Sequence, residues 1–379
     1  MKTIFTSECV CSGHPDKVCD QISDAILDAI LSEDKNAHVA CETVASKNLL
    51  LITGEVGSNV VVDYEKIARE VIKEIGYDDP KWGFKYDEIE VKVAMSNQSS
   101  DINQGVCLSK DETGAGDQGM MFGFACKETS NYMPLSFDLA SKLCKKLDEV
   151  KKTTDFLGPD GKAQISVEYN DGVISRVDTV VVSNQHSDDI SLDELREFIY
   201  NNVIVKSIPE DLLDENTKIY INPTGRFVIG GPIGDAGLTG RKIIVDTYGG
   251  YAPHGGGAFS GKDPSKVDRS GAYYTRYIAK NLVAAGLCDK AMVQVSYAIG
   301  VAKPVSLYVD CYGSNHTTMD NIYDAINNCF DLRVRNLIDE LDLTNTKYRP
   351  LASYGHMGRD ELNVRFESLD KVERLKSYL

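Results

Sequence analysis

Residues 15–32 read PDKVCDQISDAILDAILS, and this stretch decides how the units of the chain fold. Proline suits the first turn of a helix, so we predict a helix that begins at Pro15. Its acids and Gln21 lie opposite an apolar stripe, which is the pattern of an amphipathic helix. The stripe is formed by Val18, Ile22, Ala25, Ile26 and Ala29.

Two strands, a second amphipathic helix and a third strand are predicted after this helix, at residues 39–45, 49–54, 63–75 and 89–95. The same order recurs after Pro134 and after Pro264. The second round comprises a helix to about residue 150, strands 164–169 and 173–183 around an Asn-Asp-Gly turn, a helix 192–204 and a strand 218–222. The third comprises a helix to residue 286, strands 292–299 and 305–311, and a helix 319–330.

This recurrence predicts an α/β fold of the α+β type with three pseudo-symmetric repeats, each a mixed sheet with helices on one face. We expect the units to span 1–101, 112–231 and 232–379, with strands exchanged between them. The uncovered sheet faces would need a partner sheet or subunit. The glycine-rich runs 94–119 and 225–261 would connect the units, and loops of that length are usually functional.

The composition is that of a soluble globular protein. Among 379 residues, 57 Asp and Glu exceed 41 Lys and Arg, and the net charge is -16. Nucleic acid and anionic membrane are therefore disfavoured as partners. The chain shows neither a signal peptide nor an apolar run long enough to span a membrane, so we expect a cytoplasmic protein.

The ten cysteines show no C-x-x-C pair, which favours reduced thiols in a cytoplasmic protein. Four metal-ligand residues lie close together near the N-terminus, namely Cys9, Cys11, His14 and Cys19. Their spacing matches none of the usual zinc patterns, so we do not expect a zinc site there.

Residues 222–271 are the richest part of the chain in glycine, with 13 of its 31 glycines. The same stretch has six Lys or Arg against four Asp, in a chain that is acidic as a whole. Glycine lets backbone amides approach a ligand closely, and cations among glycines favour a bound polyanion. The stretch is therefore predicted to hold phosphate groups.

Two of the three proline-led helix starts carry glycine, cation and carboxylate together. These are GHPDK at 13–17 and GKDPSKVD at 261–268, whereas residues 132–134 read YMP. Free amides and the helix dipole at such a start favour phosphate oxygens. Taken singly, His14, Asp16 and Asp268 could be ordinary cap or first-turn residues; taken together, they favour one polyphosphate site in which the two acids bind Mg²⁺.

Residues 256–262 also fit G-x-x-x-x-G-K, the beginning of a Walker A loop. The next residue is Asp263 instead of Ser or Thr, and the nearest strand candidate, 241–247, lies too far upstream to lead into the loop. No Ser-His-Asp order and no G-x-S-x-G stands out either. A site of cations, acids and glycine amides would stabilise a leaving polyphosphate, while the substrate brings its own nucleophile.

At these motifs the sequence resembles the S-adenosylmethionine synthetases. The resemblance covers nearly the whole chain and rests on GHPDK at 13–17, GAGDQG at 114–119, GGGAFSGKD at 255–263 and the run 222–250. It implies three pseudo-symmetric α/β domains. It also implies that methionine sulfur attacks the 5′ carbon of ATP, and that the expelled triphosphate is cleaved to pyrophosphate and phosphate.

The resemblance also implies roles for individual residues. ATP would be bound by His14, Asp160, Lys162, Arg226, Phe227, Asp235, Arg241, Lys242, Ala258 and Lys262. The catalytic residues among these would be His14, Lys162, Arg241 and Lys262. Methionine would be bound by Glu55, Gln98, Asp235 and Lys266. Asp16 and Asp268 would hold Mg²⁺, two ions per site, and Glu42 with Ser260 would hold K⁺.

Departures from the family pattern are few and touch none of these residues. No proline follows Gln98-Ser99 in the mobile active-site loop, which puts loop stiffness in doubt. Cys9 and Cys11 stand where small polar residues are usual, and Met357 stands where an aromatic residue is frequent. The resemblance further implies homodimers, often paired into homotetramers, with active sites at the dimer interface.

Two other functions remain open at this stage. A P-loop ATPase or kinase would release ADP, and a non-catalytic nucleotide-binding or scaffold protein would bind ATP without turnover. Product identification after incubation with ATP, methionine, Mg²⁺ and K⁺ separates all three.

Overall fold

The computed structural model describes residues 1–97, 107–109 and 112–379. Its strands are β1 Lys2–Val10, β2 His38–Ser46, β3 Leu49–Gly57, β4 Glu90–Asn97, β5 Cys107–Ser109, β6 Glu112–Thr113, β7 Gly119–Cys126, β8 Leu157–Asn170, β9 Val173–His186, β10 Lys218–Ile221, β11 Gly237–Leu238, β12 Lys290–Tyr297 and β13 Ser306–Asp310. Its α-helices are α1 Pro15–Glu33, α2 Tyr64–Ile75, α3 Leu135–Lys151, α4 Leu192–Ile199, α5 Val205–Ser207, α6 Gly231–Gly234, α7 Ile243–Asp246, α8 Val267–Ala284, α9 Met319–Cys329, α10 Val334–Glu340 and α11 Val372–Leu375.

Shorter helical segments complete the described chain. A π-helical turn, Tyr200–Ile204, joins α4 to α5. The 3₁₀ helices are Pro80–Trp82, Glu210–Leu212, Arg349–Ala352, Asp360–Leu362, Arg365–Glu367 and Lys376–Tyr378. Within the described residues, no helix combines the length and apolar content that a membrane span requires.

Three sheets carry the fold, in the orders β11-β2-β3-β4, β1-β8-β9-β10 and β13-β12-β7. The first two are mixed, because β3–β4 and β9–β10 pair in parallel while their other pairs are antiparallel. The third is antiparallel, because β12 pairs antiparallel with both β7 and β13. Residues 330–379, all of them described, add no further strand to it. The predicted α/β fold class, with helices and sheets in repeated units, is confirmed, but the third sheet is antiparallel where a mixed sheet was expected.

The strand before each unit's first helix pairs in the sheet of a different unit. β1 precedes α1 but pairs with β8, which packs on α3. β7 precedes α3 but pairs with β12, which packs on α8. β11 precedes α8 but pairs with β2, which packs on α1. The three exchanges form a closed cycle around the molecule.

The three proline-led helices begin at different distances from their prolines. α1 begins at Pro15, as predicted, and α3 begins one residue after Pro134. The expectation that the third helix begins at Pro264 is wrong, because α8 begins at Val267. The preceding residues instead lie along β2: Lys262 forms a bridge with Ala40, and the Asp263 carboxylate accepts the Val39 amide at 2.7 Å.

α1 is buried on both sides, although its sequence pattern is that of an amphipathic helix. Its apolar residues pack into the core, as expected. The acids on the other side, Asp16, Asp20 and Asp24, are also buried, at 1% exposure or less. Solvent does not reach these carboxylates because loops from distant parts of the chain cover them.

Candidate active site

His14 stands at the start of α1 and caps it. Its Nδ1 accepts the backbone N–H of Asp16 at 3.2 Å, which satisfies one of the free amides of the first turn. Burial, and then the positive charge of Lys242, lower the pKa of His14 to about 4. The imidazole is therefore neutral near pH 7, and since Nδ1 accepts a hydrogen bond, the ring proton lies on Nε2.

Asp16 gathers two of the predicted phosphate-binding cations. Its Oδ2 lies 2.6 Å from Lys242 Nζ, and its Oδ1 lies 3.7 Å from Arg241 Nε. Oδ1 also accepts the N–H of Leu238 at 2.9 Å. Arg241 keeps about half of its side chain exposed (49%), so its guanidinium remains open to a ligand.

Lys162 and Asp160 come from β8, next to the first turn of α1. Lys162 pairs in register with Val10 on β1, four residues before His14, and its charge contributes to the lowered pKa of His14. The Lys162 side chain is exposed. Asp160 is buried, and its Oδ2 accepts the N–H of Gly231 at 2.9 Å. Asp160 therefore fastens the segment that begins at Arg226 and contains Phe227.

Arg226, Phe227 and Asp235 lie on the connection between β10 and β11. Phe227 exchanges two hydrogen bonds with His186: its N–H donates to the ring Nε2 at 3.0 Å, and its carbonyl accepts the His186 N–H at 2.9 Å. Arg226 lies on the surface and pairs with Asp188 at 3.1 Å. The Asp235 carboxylate accepts the N–H of Ala236 at 2.9 Å and is exposed.

Lys262 and Asp268 form a second charged cluster before and in the first turn of α8. Lys262 Nζ lies 2.6 Å from Asp268 Oδ2, and both side chains are 26% exposed. Gly257 packs against this carboxylate so closely that a Cβ there would lie 2.2 Å from Asp268 Cγ. Only glycine fits at position 257 without moving the acid.

Ala258 brings the second cluster next to the first. A Cβ on Gly240, which directly precedes Arg241, would lie 2.5 Å from Ala258 Cβ. The turn that carries Arg241 and Lys242 therefore packs on the loop that carries Lys262. The two motifs are therefore neighbours at the level of the backbone.

Glu42 and Ser260 lie on either side of a backbone hydrogen bond between Cys41 and Gly261. The carbonyl of Gly261 accepts the N–H of Cys41 at 2.9 Å, which places Ser260 beside the strand that carries Glu42. Glu42 is exposed. Ser260 Oγ is buried and has no hydrogen-bond partner among the described residues. A buried oxygen without a partner is suited to bind a cation or an ordered water.

The residues predicted to bind methionine make no direct contact with one another in the part of the chain that the structure describes. Glu55 lies on β3 between Ala40 and Ser96, while Lys266 Nζ pairs with the Asp263 carboxylate. No hydrogen bond or ion pair of the described structure joins Glu55, Asp235 and Lys266 to one another. Gln98 lies outside the described residues.

Sequence reasoning missed the buried ion pairs behind the two clusters. Lys17 Nζ lies 2.9 Å from Asp20 Oδ2 and 2.5 Å from Asp246 Oδ1, and all three side chains are at most 1% exposed. The guanidinium of Arg269 donates two hydrogen bonds of 2.8 Å to Asp24. Lys17 therefore holds protein carboxylates, although it is part of GHPDK. The one sequence signal for these pairs is an Asp at every fourth residue of α1.

The described residues contain no group of three or more His, Cys, Asp or Glu side chains that could hold a metal ion by themselves. Mg²⁺ does not require such a group, because it commonly takes one or two carboxylates together with phosphate oxygens and water. Asp16 and Asp268, each beside a lysine, provide this donor chemistry.

Three interlocked α/β units with cations and carboxylates beside the first turns of α1 and α8 fit an ATP-binding transferase. Sequence models described as the N-terminal, central and C-terminal domains of S-adenosylmethionine synthetase match residues 2–100, 112–227 and 229–368. The chain belongs to the S-adenosylmethionine synthetase family.

Curated relatives agree with this assignment. The S-adenosylmethionine synthases of Finegoldia magna and Clostridium tetani are each 53% identical to the chain, and each alignment covers 100% of both proteins. That of Sulfurovum sp. is 54% identical over 99% of the chain and 98% of its own length. The chain is thus a methionine adenosyltransferase that makes S-adenosylmethionine from ATP and methionine, and enzymes of this family use metal ions.

The Walker A alternative does not fit the structure. The strand candidate 241–247 is not a strand, because residues 243–246 form the short helix α7. Residues 256–262 lead into the segment that lies along β2. No strand runs directly into this loop in the described residues 239–266.

Proposed function

We propose that the chain transfers the adenosyl group in one displacement and then hydrolyses the triphosphate that leaves. Methionine sulfur uses a lone pair to form the bond to C5′ of ATP, and the C5′–O5′ bond breaks with its electrons going to the triphosphate. Water then cleaves the bound triphosphate to pyrophosphate and phosphate. A neutral thioether needs no base, which agrees with a site made of cations and hydrogen-bond donors.

The observation that best supports this proposal is the cluster formed by His14, Asp16 and Lys242. Nε2–H of the neutral His14 is the ring donor left free by the cap, and it would donate to the oxygen that gains charge as the C5′ bond breaks. Lys162, Arg241, Lys242 and Lys262 would bind the triphosphate oxygens. Charge that develops on the leaving chain is then stabilised by groups that are already in place.

We assign the remaining predicted residues to the two substrates. Arg226, Phe227 and Ala258 would contact the nucleotide, and Asp160 would support them by holding Gly231. Asp235 would contact both ATP and methionine. Glu55, Gln98 and Lys266 would bind methionine, with the acid near its ammonium and the lysine near its carboxylate.

We propose that Asp16 and Asp268 hold two Mg²⁺ ions and that Glu42 and Ser260 belong to a K⁺ site. Mg²⁺ bound there would neutralise charge on the phosphate oxygens. The chain itself contributes the carboxylates and the lysines that pair with them, Lys242 and Lys262. The unpartnered Ser260 Oγ supports the K⁺ assignment.

Product identification tests the overall reaction. The protein is incubated with ATP, methionine, Mg²⁺ and K⁺, and the products are separated by chromatography. We expect S-adenosylmethionine, pyrophosphate and phosphate in equal amounts. ADP as the main nucleotide product, or triphosphate released intact, would contradict the two-step proposal.

We propose that two chains share each active site, in a dimer or a dimer of dimers, and that the units span 1–101, 112–231 and 232–379. Each of the three sheets exposes a large apolar side chain on a strand, namely Val93 on β4, Tyr220 on β10, and Met120 and Tyr308 on β7 and β13. These open sheet faces leave room for a covering partner. A second chain would also bring Glu55 of one copy to Lys266 of the other.

Mixing two inactive variants tests the shared site. His14→Ala and Lys262→Ala are made separately and then co-expressed. If each site takes these residues from different chains, each mixed dimer has one intact site. Half of randomly formed dimers are mixed, so about a quarter of wild-type turnover should return. No recovery in mixed dimers isolated with two different tags would contradict the shared site.

A further inference from the structure

α1 carries an aspartate at every fourth residue, and each aspartate accepts backbone amides from a distant segment. Asp16 Oδ1 accepts from Leu238 at 2.9 Å, and Asp20 Oδ1 accepts from Gly240 at 2.8 Å. Asp24 Oδ1 accepts from Gly261 at 2.8 Å. Asp28 accepts from Tyr348 and Arg349 at 2.8 and 3.0 Å. Because residues four apart lie on the same side of a helix, these carboxylates form one stripe, which we call the aspartate stripe.

The two middle aspartates of the stripe, Asp20 and Asp24, accept hydrogen bonds from equivalent positions of the two loops that carry the predicted cations. Gly240 directly precedes Arg241 and Lys242, and Gly261 directly precedes Lys262. Both glycines have left-handed backbones, with φ of 79° and 80°. In each loop, therefore, an aspartate of α1 fixes the amide of a left-handed glycine immediately before a cation of the proposed triphosphate site, Arg241 or Lys262.

Neither of these glycines can be replaced without moving its loop. A Cβ on Gly261 would lie 1.9 Å from the carbonyl oxygen of Cys41, and one on Gly240 would lie 2.5 Å from Ala258 Cβ. The loops are thus packed against their surroundings at the points that the aspartates hold. The amide hydrogen bonds decide the position of these loops in a closely packed region.

Asp20 and Asp24 do not contact substrate in this arrangement. Both side chains are 0% exposed, and each is paired with a buried cation, Lys17 or Arg269. Lys17 also forms an ion pair with Asp246, which lies three residues after Ile243 in the chain. Arg269 Nη1 also donates a hydrogen bond of 3.0 Å to the carbonyl of Lys262. Each ion pair therefore fastens its loop a second time, beyond the glycine.

We propose that Asp20 and Asp24 are positioning residues for the adenosyl transfer. They act through Gly240 and Gly261, and each aspartate fixes the turn that carries the lysine after its glycine, Lys242 or Lys262. This inference rests on the proposed roles of Lys242 and Lys262 in binding the triphosphate. Misplacement of such groups by about 1 Å is enough to lose much of their effect.

The test uses Asp20, because loss of Asp24 leaves the buried Arg269 without its carboxylate, whereas Lys17 still has Asp246 when Asp20 is gone. Asp20→Ala removes the acceptor for Gly240, and Asp20→Asn keeps it as an amide oxygen. Asp28→Ala is the matched control: it removes the same kind of bond from the same stripe, but Tyr348 and Arg349 carry no site residue. The affinity for inorganic tripolyphosphate with Mg²⁺ is measured by calorimetry on full-length protein, below each variant's melting temperature.

We expect Asp20→Ala to weaken tripolyphosphate binding at least about tenfold, with Asp20→Asn and Asp28→Ala within about threefold of wild type. The KM for ATP should follow the same order. Equal losses in Asp20→Asn and Asp20→Ala would show that only the charge next to Lys17 matters, which would overturn the inference. A comparable loss in Asp28→Ala would overturn it as well.

Lys242→Ala and Lys262→Ala are measured alongside, so that the two proposals can fail separately. If these lysine variants bind tripolyphosphate as tightly as wild type, the proposed triphosphate site is wrong. If they bind weakly while Asp20→Ala binds normally, the site stands and the positioning role of Asp20 is wrong.

Discussion

α1 and α3 occupy the same place in the first and second units, yet they use their polar residues differently. Both follow a motif with proline, and both carry an acid in the first turn, Asp16 or Asp138. α3 has no side-chain cap, and its Asp138 pairs with the exposed Lys142 at 2.6 Å. α1 is capped by His14, and its carboxylates are buried under loops that carry cations.

The difference separates what builds the fold from what builds the site. The apolar spacing shared by the two helices is enough to place each of them on its sheet. The aspartate stripe exists in α1 alone of the two, and it meets the glycine-rich segments that the sequence assigns to phosphate binding. One helix position in the repeat thus serves packing in the second unit and, in the first, packing and the function that we propose.

The largest effect should come from removing the buried cation of α1. Lys17→Met leaves Asp20 and Asp246 facing each other, so we expect the free energy of unfolding in urea to fall by about 3–5 kcal/mol. Burial opposes the charge of Lys17, yet the two acids hold the pKa of its ammonium above its ordinary value. The matched change on α3 is Lys142→Met, at a side chain that is 55% exposed. This change should lower the free energy of unfolding by less than about 1 kcal/mol. Equal losses in the two variants would contradict the difference between α1 and α3.

The next effect concerns the two first-turn acids. Asp16→Asn should lower the rate of S-adenosylmethionine formation on the order of a hundredfold, about 3 kcal/mol of transition-state stabilisation, because it weakens the hold on Lys242 and removes a proposed Mg²⁺ ligand. Asp138→Asn on α3 should stay within about threefold of wild type in the same assay. Near wild-type turnover in Asp16→Asn would contradict the electrostatic account of the site.

A smaller, pH-dependent effect is expected at the far end of the stripe. Burial raises the pKa of Asp28 from 3.8 to about 6, partly opposed by the Tyr348 and Arg349 amides and by Lys347, with Asp24 adding to the rise. A raised folded pKa means that this carboxyl stabilises the fold fully below pH 3.8, and that this contribution is lost as the pH rises through about 6.

Asp28→Asn does not titrate, so relative to wild type it should become more stable by up to about 3 kcal/mol between pH 4 and pH 8. Urea unfolding of both proteins at several pH values measures this difference. Asp189→Asn, at an exposed position, is measured as the control. A difference between Asp28→Asn and wild type that stays constant with pH would contradict the buried charge.

Much of the fold could be read from local patterns. The order of helices and strands follows from spacing and from turn residues such as Asp171 and Gly172, which both have positive φ between β8 and β9. The late beginning of α8 could not be read in this way, because Asp263 is engaged by the backbone of β2, which is more than 200 residues away in the sequence. A helix start depends on its partners as well as on its own residues.

The site was readable only in part for the same reason. The motif letters predict His14, Asp16 and Lys262 as site residues, because glycine, cation and acid together at a helix start favour a polyphosphate. Asp20 and Asp24 look like the solvated acids of an amphipathic helix until the loops that cover them are known. Whether Arg226 turns from Asp188 to a nucleotide depends on a ligand, which no sequence pattern specifies.

The cyclic exchange of β1, β7 and β11 has a practical consequence for anyone who cuts or rearranges the chain. A single cleavage between β10 and β11 would leave β7 of the front fragment in the third sheet and β11 of the rear fragment in the first. Each fragment would still contribute a strand to a sheet of the other fragment, so the nicked protein should migrate as one particle until it is denatured. Circular permutation at that connection is therefore more promising than expression of any unit alone.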